Sequence, residues 1–288
     1  MKKDKLFRNG FTKSLLILGI LSMASAAYGW GLLGHMIIAE VAQRHLSEKA
    51  SKKLNNHLCE LKLAHIANIP DEIFRADGKH KAMEPLHYVN MPKGSKNYSE
   101  TAKNPDGDLV TVVPVLIEYL RSGKKESLDK MKALVGIDRT IGYSLLVHFV
   151  GDLHQPLHVG DPGDKGGNDV DVEWMGRDKT SLHGVWDSKF IEYTKYSYTE
   201  FADFLDRLYS QHDDSVWKNL NFSDWADQSW ALNPQIYDFP DSQKVNTKVP
   251  SLSYQYILKN HDLLRFQLWV GGMRLAHVLN MILESAPD

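Results

Sequence analysis

His148 and Asp152 stand four residues apart, His183 and Asp187 repeat that spacing, and His158 falls between the two pairs. Imidazole nitrogen and carboxylate oxygen are donors that zinc takes readily, and a catalytic zinc keeps one position open for water. Five such donors lie within forty residues of chain. A single helical His and Asp at that spacing is more often a surface ion pair than a metal site. Two pairs in one chain, one of them in an apolar stretch, favour ligation. The only cysteine is Cys59, which excludes an internal disulfide and a cysteine-based zinc site; histidine is the abundant alternative, with all thirteen after Gly29.

The first pair needs a helix to present it. Between Thr140 and Gln155 almost every residue is apolar, yet Ser144, His148, Asp152 and Gln155 follow at steps of four, four and three, which places them on one helical face. A polar stripe on a buried helix costs roughly 2–7 kcal/mol per unsatisfied group. Pro156 ends that helix and turns the chain toward His158. Leu182 to Tyr193 reads as the start of a second helix, carrying His183 and Asp187. Ile37, Ile38, Val41, Ala42 and Leu46 predict a helix through Trp30 to Leu58 after its first turn. Val110 to Arg121 and Glu126 to Val135 read as two more, with loop over residues 90 to 108. Gly160 to Gly176 predicts a loop leading into a small hairpin, and Trp217 to Pro250 an irregular surface with short helical turns. Ser251 to Glu284 is amphipathic, expected as two helical stretches hinged near Gly271-Gly272. The expected fold is all-α: a mainly helical single domain with a small β-hairpin.

Five basic residues from Lys2 to Lys13 precede the apolar run Ser14 to Met23, and Ala27-Tyr28-Gly29 offers small side chains where a signal peptidase reads. Residues 1–29 are therefore expected to be a signal peptide and 30–288 one catalytic domain, within the single-domain range of about 250–300 residues. The apolar run is too short to span a bilayer, and no later stretch is long and apolar enough. Removing the leader changes the formal charge from −2 to −6, with 29 basic against 35 acidic residues. Binding of nucleic acid through a broad basic surface is thereby excluded, and any such activity must rest on a local site.

The markers Trp30-Gly31, Gly34-His35, Pro70-Asp71-Glu72, Pro85-Leu86-His87-Tyr88, His148-Phe149-Val150-Gly151-Asp152-Leu153-His154-Gln155-Pro156-Leu157-His158, Gly166-Gly167-Asn168 and Leu182-His183-Gly184-Val185-Trp186-Asp187 occur in that order. In them the chain resembles the zinc-dependent single-strand nucleases and 3′-nucleotidases of the nuclease S-one and P-one family, related to the zinc-dependent phospholipases C. The resemblance implies a phospholipase C/nuclease P-one-like fold and three zinc ions. One ion would take Asp71, His87, His148 and Asp152, and a second His158, His183 and Asp187. The third would take His35, the shared Asp152, and the amino nitrogen and carbonyl oxygen of Trp30. Two metal ions about 3.5–4 Å apart can acidify a water and clamp the oxygens of an in-line displacement. The resemblance makes Asp71 the group that orients this water and places the remaining zinc at the departing 3′-oxygen, leaving a 5′-phosphate.

It also implies that a base stacks on Tyr88, which tolerates any unpaired base at roughly 1–3 kcal/mol. Asn90 falls where several relatives carry an acid that reads the base edge, and Asn168 lies in a segment placed beside the site. An arginine expected three residues after Asp71 is Phe74 here, with Arg75 next, so Arg75 is the candidate for transition-state charge. His154 reads as a packing residue, and His45, His57, His65, His80, His212, His261 and His277 likewise. The implied function is a secreted or periplasmic hydrolase of single-stranded RNA, single-stranded DNA and 3′-nucleotides, monomeric by default. The competing readings are a phospholipase C, whose last ligand is usually Glu rather than Asp, and a non-catalytic zinc-binding periplasmic protein.

Overall fold

The structure is a computed structural model that describes residues 30–72, 80–213, 215–240 and 249–285. The expected export leader and the segment holding Phe74 and Arg75 lie outside the described residues. Mainly helical architecture is what the described chain shows. Helix α1 (Leu32–Arg44) is followed directly by α2 (Glu48–Leu58). The single helix expected over this stretch is broken because Ser47 accepts a hydrogen bond from the Ala50 backbone N–H and caps a new helix. Asn280 and Glu284 hold Ser47 from the far end of the chain, which fixes the bend.

Two short strands follow the first histidine turn and the later one: β1 (Val89–Asn90) pairs in parallel with β2 (Val159–Gly160). Between them run α3 (Leu109–Ser122) and α4 (Arg139–Leu153), capped by Asp108 and Asp138. The helix expected over Glu126 to Val135 is instead two 3₁₀ turns, Lys125–Lys130 and Lys132–Leu134. Leu128, Met131 and Leu134 explain the difference, since a spacing of three is the repeat of a 3₁₀ helix and puts all of them into the core.

The hairpin is present as β3 (Asp171–Trp174) and β4 (Asp178–Ser181). A third strand, β5 (Ser251–Leu252), joins β3 in parallel from far along the sequence. The helical run Leu182–Gly184 and Phe190–Tyr193 encloses a π turn, Val185–Lys189. Then come α5 (Tyr198–Leu208), α6 (Phe222–Trp230) and α7 (Tyr254–Ser285). Helix α1 lies along α7 and against α4 and α5, so the core surrounds α4, whose residues from Gly142 to Leu153 are all buried. No helix among the described residues is long and apolar enough to cross a membrane.

The hinge expected at Gly271-Gly272 is absent: α7 is one helix of 32 residues. Those glycines serve close approach instead. A Cβ on Gly272 would lie 2.5 Å from Val41 Cβ and 3.0 Å from Ile38 O, both on α1, and one on Gly271 would lie 3.2 Å from His154 Cβ. Gly272→Ala therefore sets a helix-propensity gain of about 1 kcal/mol against an overpacking cost of about 1–3 kcal/mol. A net loss of stability in urea unfolding is the expected outcome; a hinge glycine would give a gain.

Candidate metal centre

Helix α4 turns its polar stripe toward the segment that leads to Asp71. Ser144 Oγ donates to Ile66 O at 2.6 Å, and His148 Nδ1 donates to Ala67 O at 2.9 Å. His87 ends the 3₁₀ turn Glu84–His87, and its Nδ1 donates to Met83 O at 3.0 Å. His158 ends a second 3₁₀ turn, Pro156–His158, and its Nδ1 donates to His87 O at 2.6 Å. The β1–β2 pairing, immediately downstream of each, holds these two turns in register. His183 Nδ1 donates to Gly166 O at 2.7 Å. His35 comes from α1 and stacks on His148 with ring centroids 3.9 Å apart. Gly151 makes room for it, because a Cβ there would stand 2.8 Å from His35 Nδ1.

A carbonyl oxygen only accepts, so in His87, His148, His158 and His183 the proton resides on Nδ1 and the lone pair on Nε2. These lone pairs meet carboxylates. His35, His148 and Asp152 form one group, Asp71, His87 and His148 a second, and His158, His183 and Asp187 a third; within each, the donor atoms lie within 4.8 Å of one another. Asp152 faces two ways, with Oδ1 3.2 Å from His35 Nε2 and Oδ2 3.4 Å from His148 Nε2. In the third group the two Nε2 atoms are 3.1 Å apart, and Asp187 Oδ2 is 3.3 Å from His183 Nε2.

Two imidazole lone pairs at that separation repel unless a cation or a proton stands between them. Burial argues against the proton: it holds the pKa of His183 at about 4 and that of His158 well below the ordinary value. His35 is likewise lowered to about 4 by burial, against the opposing charge of Asp71. The same burial raises Asp152 and Asp187 well above the carboxylate range. Asp187 Oδ2 and His35 Nδ1 are buried and have no hydrogen-bond partner. Neutral imidazoles and desolvated carboxylates are the donor set a divalent cation compensates, and the residues fit zinc.

Trp30 is fully buried, its backbone N–H faces the Asp152 carboxylate and favours its charged form, and the next N–H, of Gly31, donates to Asp187 O at 2.8 Å. The chain at Trp30 is thus pinned between two of the groups. Tyr88 is half-buried directly after His87, and Asn90 is exposed on β1. The Asn168 side chain turns onto its own loop, donating to Lys165 O at 3.0 Å, so the part of Gly166-Gly167-Asn168 that reaches the centre is the Gly166 carbonyl. His154 is no ligand: Nδ1 donates to Val150 O and Nε2 faces Arg274. Sequence reasoning missed the side chains that hold the exit of α4. Ser229 donates to Leu153 O, Gln267 to His154 O, and Asn233 to both Pro156 O and Val159 O. No spacing rule links these residues to the ligand segment.

The chain is 31% identical over 296 residues to Endonuclease 4 of Arabidopsis thaliana, covering 94% of this chain and 95% of that one. Endonuclease 2 of the same plant is 30% identical over 292 residues, covering 93% and 95%. Nuclease S1 of Aspergillus oryzae is 25% identical over 279 residues, covering 91% and 94%. The family profile described as S1/P1 Nuclease matches residues 30–284, a span that contains every group of the centre and all the elements that build it. The chain belongs to the S1/P1 nuclease family.

Proposed function

We propose that this protein is an exported trinuclear-zinc phosphodiesterase that hydrolyses single-stranded RNA, single-stranded DNA and 3′-nucleotides and leaves 5′-phosphates. The observation that carries the reading is the set of three largely buried His/Asp groups, two of them sharing His148 of α4 and the third built on the turn that follows α4 and on the His183–Asp187 run, in a chain of the S1/P1 nuclease family. Asp71, His87, His148 and Asp152 would hold one ion, His158, His183 and Asp187 another, and His35, Asp152 and the Trp30 terminus the third. Bound there, zinc supplies a Lewis acid for a phosphoryl oxygen and brings the pKa of water toward 7. The protein's own residues do the rest. Asp71 keeps 12% of its side chain exposed while the other acids of the centre are sealed, so it is the carboxylate able to accept a hydrogen bond from an attacking water. Tyr88 offers a half-buried ring beside His87, and burial raises its phenol, so it stacks as a neutral group. Asn90 presents an amide at the open edge, Asn168 borders the Gly166 loop, and Arg75 would meet transition-state charge.

The deciding assay compares single-stranded RNA, single-stranded DNA, 3′-AMP and phosphatidylcholine. Turnover of the first three, loss on chelation and recovery with zinc are expected. Hydrolysis of phosphatidylcholine alone would make the chain a lipase, and no turnover of any substrate by zinc-loaded protein would leave a binding protein.

Tyr88→Ala is expected to lower turnover of dinucleotides and 3′-nucleotides by about 5- to 150-fold, which corresponds to one lost stack. A small phosphodiester without a base should be nearly unaffected. Equal losses on both substrates would remove Tyr88 from base recognition.

A backbone amino group can ligate zinc only when free and unprotonated, and its unperturbed pKa of about 7.7–8.0 allows that near neutral pH. Protein carrying extra residues before Trp30 is therefore expected to hold one zinc poorly and cleave slowly, and proteolytic exposure of Trp30 with added zinc should restore both. Matching zinc content and rate in the extended and trimmed proteins would refute the terminal ligand.

A further inference from the structure

Gln155 closes the polar stripe of α4, and its carboxamide is fully buried. The Leu157 N–H, which can only donate, lies 2.7 Å from one end of that carboxamide, so this end is the oxygen. The NH₂ end then faces Asp187 Oδ1 and donates to it at 2.6 Å. One side chain thereby joins two ligands of the same group. Its oxygen caps the 3₁₀ turn that delivers His158, and its amide holds the carboxylate that faces His183.

The two oxygens of Asp187 become inequivalent in consequence. Oδ1 accepts from Gln155, whereas Oδ2 accepts no hydrogen bond and points at His183 Nε2. We propose that Gln155 is a positioning residue that makes Asp187 a single-oxygen ligand and locks it to the His158 turn, pre-forming the three-donor face for one divalent cation. The inference rests on the zinc reading above. Residues that orient a ligand in this way carry about 10- to 100-fold in metal affinity when removed. A role confined to core packing would weaken the fold and leave the relative retention of the ions unchanged, because Gln155 contacts neither the His35 group nor the Asp71 group through a hydrogen bond.

The test uses the full-length mature enzyme loaded with zinc and dialysed against graded EDTA, with zinc per chain measured at each step. Two variants are compared with the wild type. Gln155→Met keeps the volume and removes both hydrogen bonds; Gln155→Glu keeps the oxygen toward Leu157 and removes the donor toward Asp187. In each variant that folds, as judged by circular dichroism, one zinc equivalent should leave at about 10- to 100-fold lower EDTA while the others leave as in the wild type. Cobalt substitution should show the altered absorption confined to that equivalent. A folded variant that retains every ion as the wild type does, or loses all of them together, overturns the proposal. Wild-type protein that holds no zinc overturns the zinc reading itself, so the two failures are distinguished by the wild-type titration.

Discussion

Two carboxylates and five imidazoles buried in an apolar helical core are the constraint on which the rest of the structure depends. Asp152, His35 and His148 are wholly desolvated, and Asp187, His87, His158 and His183 are nearly so. Burial alone would drive both acids to protonate and His35, His158 and His183 to stay neutral, which is a loose set of poorly paired dipoles. Divalent cations change the balance, because each replaces lost hydration with directed bonds and takes the donors in the protonation state that burial already favours for the histidines. With the proposed ions bound, folding and metal binding would be two aspects of one equilibrium.

The same constraint explains the clamp at the end of α4. A helix leaves its last four carbonyls without internal partners, and here the helix ends inside the core, where water is not at hand to serve them. Ser229 on α6, Gln267 on α7 and Asn233 between them donate to Leu153 O, His154 O, Pro156 O and Val159 O. Leaving a buried carbonyl unpaired costs roughly 1–3 kcal/mol, so these contacts are substantial on the scale of a whole domain's stability. Their second effect is geometric, since the clamped carbonyls flank His158 and Asp152. Arg274 completes the arrangement by fixing His154, whose burial holds it neutral with a pKa of about 3.

What could be read from sequence divides along the range of the interactions. The α4 stripe was legible because Ser144, His148 and Asp152 obey one local period, and so was the hairpin, announced by alternation after a glycine-rich loop. The break at Ser47 was not, since its hydrophobic spacing runs on through Leu46 and only the cap and the distant Asn280 decide it. Gly271-Gly272 read as a hinge because glycine lowers helix propensity, but tertiary packing on Val41 and His154 outweighs that local preference. Strand β5 and the Asn233 clamp were invisible for one reason: each joins segments more than seventy residues apart. Gln155 was visible as part of the stripe, yet its partner Asp187 lies in a separate helical run and only the fold brings them together.

An acidic protein that acts on a polyanion needs a local source of positive charge. Under the proposed stoichiometry three divalent ions stand against the three carboxylates Asp71, Asp152 and Asp187, which leaves about three positive charges concentrated in a site with low-dielectric walls. The net charge of −6 on residues 30–288 is spread over a surface whose distant parts are screened beyond about 8 Å at physiological ionic strength, so it scarcely opposes that local field. Binding energy is then concentrated on the phosphate being cleaved and the base stacked next to it, rather than distributed along a groove. Under the proposed function, that concentration would let one site serve a long single strand and a 3′-mononucleotide alike, because both present the same phosphate and one neighbouring base to the same donors.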